Sequence, residues 1–242
     1  MSAVPGILGA MVAGDPARPL LTYYDDATGE RTELSAVTLG NWLAKTANLL
    51  VDGCGVGPGD RAAVLLPPHW QTAAVLLGAW SAGLRVDLPG ATEHRRAAGA
   101  PPFGDPADVV FAALDRLDAA PPAGDRFALG LAPMGLPLRE VPAGWLDYIA
   151  EVRGHGDQFS VSAPAEDAGA REALAAAREL AAADGLRSGD RLLVDAVAGA
   201  DPLRWLLAPL SAGASLVLCA NQYPGAVASR VTAERVTRIL PP

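Results

Sequence analysis

The chain has 242 residues, a formal net charge of −8 and a pI of about 4.8, with 50% hydrophobic residues and a mean hydropathy of +0.21. This composition is ample for a buried core and excludes disorder. No basic run is present, so the electrostatic footprint of nucleic-acid or anionic-membrane binding is missing, and neither nucleic acid nor membrane is expected as a partner.

The opening Met1–Gly14 is mildly apolar without a positive leader region, and no apolar stretch reaches the roughly 20 residues that span a bilayer, which points to the cytoplasm. Leu20–Tyr24, followed by Asp25-Asp26 and Gly29, reads as a strand and turn, with Glu30–Leu34 as its hairpin partner. Ser35 is a fitting N-cap for an amphipathic helix on which Leu39, Trp42, Leu43, Thr46, Ala47 and Leu50 recur, ending near Gly53. After a glycine-rich turn, Ala62–Leu66 has the apolar run of a buried parallel strand. Beyond Pro67-Pro68, Trp70, Ala73, Ala74 and Leu77 form one helical face, Gly83 suits the position just past the helix end, and Leu84–Leu88 reads as a strand.

Pro101–Phe159 is irregular and punctuated by prolines, with strands predicted at Val109–Ala112 and Phe127–Leu131 and a helix around Trp145–Val152. Ala170, Leu174, Ala177 and Ala181 mark a further helix, followed by the turn Gly185–Asp190 and the strand Leu192–Val197. Asp201-Pro202 is an N-cap with proline at the first helical position; Leu203, Leu206, Leu207 and Leu210 form the buried face before Gly213, and Ser215–Cys219 is the closing strand. Val231–Leu240 fits a short helix or an edge strand.

Residues 47–88 and 177–218 superpose without a gap at a shift of 130 positions. The shift pairs Gly55 with Gly185, Gly59-Asp60-Arg61 with Gly189-Asp190-Arg191, and Ser81-Ala82-Gly83 with Ser211-Ala212-Gly213. The expected fold is therefore α/β, with two similar parallel-sheet subunits, at about 35–90 and 168–220, packed together in one domain. Subdomains 1–100 and 160–242 are expected, joined by the irregular α/β segment 101–159.

Few residues point to chemistry. Gly53–Gly59 leaves a helix and enters a strand, the reverse of a dinucleotide fingerprint, so its glycines serve turn geometry. Gly130–Gly135 has phosphate-loop spacing, yet Leu136-Pro137 stand where Lys and Ser or Thr are needed. No serine sits in a nucleophile elbow. Cys54 and Cys219 have no partners at metal-ligand spacing and are expected to be reduced and structural, and no metal or cofactor is expected. Asp60-Arg61 and Asp190-Arg191, in matching turns, are read as local: Asp bonds turn amides and Arg fixes the start of the strand. His94, beside Arg95-Arg96, is expected on the surface. Lys45 is the single lysine, as codon bias in a GC-rich genome would produce.

The strings Pro19-Leu20-Leu21-Thr22-Tyr23, Ala47-Asn48-Leu49-Leu50, Gly55–Arg61, Gly189–Leu193 and Ala208–Ser215 resemble the amino-terminal domain of the adenylate-forming superfamily, which comprises acyl-CoA synthetases, adenylation domains and luciferases. The resemblance implies two similar α/β subdomains. Such enzymes carry a Ser/Thr/Gly-rich loop ending in Pro-Lys-Gly that wraps the ATP phosphates; here Ser160–Gly169 has no lysine and carries Glu166-Asp167. Their Pro-x-x-His-type segment is replaced by Ala196–Pro202, without histidine. The sequence stops at Pro242, ahead of the family's later motifs and its carboxyl-terminal domain with the catalytic lysine, a role Lys45 in the first helix cannot fill.

The leading expectation is thus a short, degenerate relative that acts as a non-catalytic binding or interaction module, with an unknown protein partner or self-association. The alternative is a protein that holds an acyl, CoA-like or adenine-nucleotide ligand, or a remnant enzyme. The ligand would lie in the crevice between the copies at the carboxyl ends of strands, with His69, Trp70 and Asp195 beside it. Two of these also have a plainer reading: His69 as a histidine that only caps or lies on the surface, and Trp70 as part of a core stripe. His155 and Asp157, flanking Gly156, are a weaker acid–base candidate or simply a solvated turn.

Overall fold

The computed structural model describes residues 4–88, 105–160, 168–196 and 201–240. A first helix, α1 (Val4–Gly14), is followed by the hairpin β1 (Pro19–Asp25) and β2 (Glu30–Ser35), then α2 (Ala36–Asn48), β3 (Arg61–Leu65), α3 (Trp70–Ser81) and β4 (Arg85–Asp87). The middle of the chain supplies β5 (Ala107–Ala113), β6 (Ala123–Leu129), β7 (Leu146–Asp147) and α4 (Tyr148–Val152). The remainder forms α5 (Ala168–Ala183), β8 (Arg191–Asp195), α6 (Ala208–Ser211), β9 (Ser215–Ala220), α7 (Val227–Ala233) and β10 (Arg238–Ile239).

Among the described residues two five-stranded sheets result, ordered β10-β8-β9-β1-β2 and β4-β3-β5-β6-β7, in which only the β1–β2 pairing is antiparallel. The first sheet lies in a unit made of Met1–Gly40, Pro67–Ala73 and Arg171–Pro242; the second lies in a unit made of Asn41–Leu66 and Ala74–Ala170. The amino-terminal hairpin pairs with β9 of the second copy, Leu21 opposite Leu216 and Tyr23 opposite Leu218. Leu20, Leu21, Thr22 and Tyr23 are buried on both faces of β1, which demands an interior position in a sheet, and β9 is the apolar strand that offers one.

The repeat recurs bond for bond. Asp60 Oδ2 accepts from Gly57 N at 2.8 Å and Asp190 Oδ2 from Arg187 N at 2.9 Å. Gly59 N donates to Gly83 O and Gly189 N to Gly213 O, and Arg85 N and Ser215 N donate to Asp60 O and Asp190 O. Gly83 and Gly213, at φ +86° and +80°, close their helices in the left-handed region that glycine enters without a Cβ clash. The equivalence also runs past the matched sequence: β3 lies between β4 and β5 as β8 lies between β9 and β10, with Ala62 opposite Val109 and Leu192 opposite Arg238. Beyond this shared core the copies grow on opposite sides, one adding β6 and β7 beside β5, the other β1 and β2 beside β9.

Several boundaries moved for local reasons. Ser35 caps α2 as expected, its Oγ accepting from Thr38 N at 3.2 Å, but the last turn, Leu49–Gly53, widens to a π-turn. The helix predicted around 145–152 begins at Tyr148, because Leu146-Asp147 pairs with β6 and Asp147 Oδ1 caps Ile149 N at 2.9 Å. Strand β6 ends at Leu129, and Leu131 has φ +52°, which a strand cannot continue. Leu203–Leu207 is a π-turn that leads into α6, and the predicted strand to Val197 ends at Asp195. The last stretch holds both expected forms, with α7 ending at Ala233 before the edge strand β10. Helix α1 escaped prediction because Gly6, Gly9 and Gly14 interrupt its apolar pattern.

In the second unit Phe111 stacks on Phe127 with ring centroids 5.2 Å apart and meets Tyr148 edge-on at 5.8 Å. The fully buried Tyr148 hydroxyl lies 2.7 Å from Thr46 Oγ1, which donates to Trp42 O, so the phenol donates to Thr46 and is satisfied.

Candidate functional site

In the first unit, the carboxyl ends of the parallel strands β1, β8 and β9 collect most of the polar side chains that sequence reasoning singled out. His69, on the approach to α3, has a side chain only 3% exposed and packs edge-on against Tyr23, with ring centroids 4.4 Å apart. Its Nδ1 accepts from Gln71 N at 3.1 Å, which leaves the proton on Nε2, 4.0 Å from Glu30 Oε2. Burial holds the imidazole below its usual pKa despite Glu30, so it is neutral at physiological pH. Glu30 Oε1 accepts from Thr32 Oγ1 at 2.6 Å and Trp70 Nε1 at 3.2 Å. Burial raises the Glu30 pKa, yet the adjacent His69 and hydrogen bonds from Thr32 and Trp70 outweigh it and keep the carboxyl below the ordinary range. His69 and Trp70 therefore meet on one buried carboxylate. With Nδ1 committed to the backbone, the imidazole has no free lone pair for general-base work.

Asp195 closes β8 in register with Cys219, which is in register with Tyr24. Side chains alternate along a strand, so Asp195 stands on the Tyr24–Cys219 face, whereas His69 packs on Tyr23 on the other face. His69 and Trp70 thus share Glu30, and Asp195 stands on the other face of the sheet. Beside Asp195's face, Arg230 forms an ion pair with Asp26 at 2.5 Å and lies over the Tyr24 ring at 4.2 Å. Arg230 holds the Asp26 carboxyl below its usual pKa. Burial raises the Cys219 thiol to about 11 against the pull of Arg230, and burial with Asp125 raises Cys54 to about 12, so neither is a thiolate nucleophile at neutral pH.

His155 and Asp157 do not pair with each other among the described residues. Lys45 Nζ donates to His155 O at 2.5 Å and reaches Asp157 Oδ1 at 3.7 Å, while Asn48 Nδ2 donates to Gly156 O and Gln158 O. The single lysine is spent on tying this loop to α2. Gly135 O accepts from Arg153 Nη2 at 2.8 Å, so the stretch with phosphate-loop spacing is a braced connection that ends in a single 3-10 turn, Pro133–Gly135, and opens no α-helix. His94, residues 161–167 and residues 197–200 lie outside the described residues.

One dense polar cluster had no signal in the sequence. Glu234, at the end of α7, accepts from Tyr24 Oη at 2.6 Å, Arg31 Nη2 at 2.9 Å and Arg191 Nη2 at 2.6 Å. Arg191 also donates to Thr22 Oγ1 and Glu234 O. In the other copy Arg61 grips Asp87 and Pro106 O. Both arginines thus anchor the start of their strands, as their matching turns implied.

No protein-family model matches the chain. A Mycobacterium tuberculosis (strain ATCC 25618 / H37Rv) protein described as "TIGR03089 family protein" is 44% identical over 250 residues, 97% of this chain and 96% of that one. Among solved structures, the acyl-CoA synthetase of Brucella canis matches 98% of this chain at 22% identity and TM-score 0.68, and acetoacetyl-CoA synthetase of Streptomyces lividans matches 98% at 16% identity and TM-score 0.71. The N-terminal domain of FACL13 from Mycobacterium tuberculosis matches 98% at 17% identity and TM-score 0.65. The chain spans 47%, 42% and 62% of these three structures. It has the fold of the amino-terminal part of acyl-CoA synthetases, as the resemblance implied.

Proposed function

The chain belongs to the TIGR03089 family, and from its fold and its residues we propose that it is a non-catalytic binding or interaction module built on the adenylate-forming scaffold. The observation that carries this reading is the disposition of Lys45. A phosphoryl-transfer site depends on preorganised positive charge, usually the largest catalytic contribution. The single lysine of this sequence is engaged with His155 O and Asp157, and Ser160–Gly169 offers Glu166-Asp167 instead. Purified protein incubated with ATP, Mg²⁺ and acetate, hexanoate, benzoate or palmitate is expected to release no pyrophosphate above background. Release that depends on the acid would overturn the proposal.

A second reading, supported by the position of Asp26, Asp195 and Arg230 at strand carboxyl ends, is a residual ligand site for an adenine nucleotide or CoA-like molecule. Under it, ATP, AMP or CoA should raise the melting temperature, and Arg230→Met should abolish that rise. A melting temperature unmoved by all three would exclude it. No helix among the described residues is long and apolar enough to cross a membrane, and the proposed module works in the cytoplasm.

A further inference from the structure

At the opposite end of the first sheet, by the amino-terminal ends of β1, β8 and β9, a cavity of about 530 Å³ lies under α1. Its volume is within the roughly 300–1,000 Å³ typical of small-molecule sites. Ile7 and Met11 of α1, with Leu20 and Leu210, give it apolar walls, and Arg18 and Arg178 stand in its lining. Arg18 also lines a neighbouring groove of about 460 Å³, together with Arg31, Arg191, Arg235 and Thr237. Arg18 is common to both linings.

The charges there are unevenly spent. Arg31 and Arg191 are neutralised by Glu234, and Glu33 takes a further bond from Arg31. Asp15, the carboxylate lining the cavity, accepts from Ala17 N. Arg18 makes only a 3.5 Å bond to Gly189 O, and among the described residues neither Arg18, Arg178 nor Arg235 forms an ion pair. In a protein of net charge −8, a cavity with an apolar side on α1 and cations that form no ion pair among the described residues favours a ligand that is apolar at one end and anionic at the other.

We propose that this cavity and groove bind a single-chain amphiphile with an anionic head group, its tail against Ile7, Met11 and Leu210 and its head on Arg18. The inference is independent of the non-catalytic reading, since binding is measured without ATP. The probes are dodecyl phosphate, dodecanoate, octyl phosphate, dodecanol and inorganic phosphate, each below its micellar concentration, titrated calorimetrically into the whole chain.

Dodecyl phosphate or dodecanoate is expected to bind one per chain, and dodecyl phosphate at least tenfold more tightly than octyl phosphate, because four methylenes are left in water when the tail is shortened. The better-bound of the two twelve-carbon probes identifies the head group. Arg18→Ala and Arg178→Ala, each checked for an unchanged melting temperature, should weaken binding about tenfold, and Arg116→Ala in the other unit should not. Failure of both twelve-carbon anions to bind, equal binding of dodecanol, or equal loss in Arg116→Ala would overturn the proposal. So would attachment to phosphatidylglycerol vesicles that Arg18→Ala leaves intact while no monomeric probe binds.

Discussion

Replacing Gly78 by alanine is expected to destabilise the second unit by about 3 kcal/mol, the upper range for overpacking a core. The opposite sign is normal for glycine in a helix, where alanine gains about 1 kcal/mol. Here a Cβ at residue 78 would overlap Thr46, with Cγ2 at 2.5 Å and the backbone nitrogen of Ala47 at 3.2 Å. Thr46 cannot simply rotate away, because its hydroxyl is bonded to Trp42 O and to the buried Tyr148 hydroxyl. The equivalent positions in the second copy are Ala176 and Ala208, a smaller residue facing the threonine's place and a larger one the glycine's. Urea denaturation followed by circular dichroism reads the effect. Thr46→Gly should be destabilising in the wild type, through its lost hydrogen bonds, and less so in the Gly78→Ala background, because removal of the Thr46 Cβ and Cγ2 relieves the overlap. A Gly78→Ala protein at least as stable as wild type would show that α2 and α3 do not approach this closely.

Glu234→Ala should cost about 3–5 kcal/mol in the first unit, the loss typical when one partner of a buried ion cluster is removed. The carboxylate side chain is 8% exposed and carries Tyr24, Arg31 and Arg191, while the Arg191 side chain is 13% exposed and would be left without its charged partner. Burial alone would raise the Glu234 pKa; hydrogen bonds from Tyr24, Arg191 and Arg31 overcome it and hold the carboxyl down to about 2. The sign of the pH dependence follows from this depression. An unfolded glutamate titrates near 4.3, so the folded protein binds the proton less readily, and the contribution is complete above about pH 5 and lost as pH falls toward 2. The urea midpoint of the wild type should therefore fall more steeply between pH 5 and 3 than that of Glu234→Gln. Parallel slopes would mean that Glu234 is not held ionised by its partners.

The parts legible in the sequence were those built from short-range bonds. Asp60 and Asp190 reach amides three residues back, Ser35 reaches Thr38, and Gly83 and Gly213 end their helices. Each motif carries its own geometry, so a repeated string implied a repeated turn. The candidate site was less legible. His69 and Trp70 were placed beside one another by helix position, but their common partner, Glu30, lies on another strand. Asp195 was assigned to the same crevice from its strand end, and its face was decided by register with Cys219. His155 and Asp157 looked paired across one glycine, and Lys45, more than a hundred positions away, holds the His155 carbonyl instead.

Legible in the residues alone were a duplicated strand–helix–strand unit with its turns, caps and helix ends, and the lack of a Pro-Lys-Gly string in Ser160–Gly169, because these depend on residue types at fixed close spacing. Only the tertiary structure decided that the amino-terminal hairpin completes the sheet of the second copy, that the copies extend on opposite sides of their shared strands, and that Glu234 gathers Tyr24, Arg31 and Arg191. Strand neighbours are selected by which apolar faces can be buried together, and a buried charge by which opposite charges surround it. Both are properties of distant segments meeting, with partners here 203 and 43 positions from Glu234.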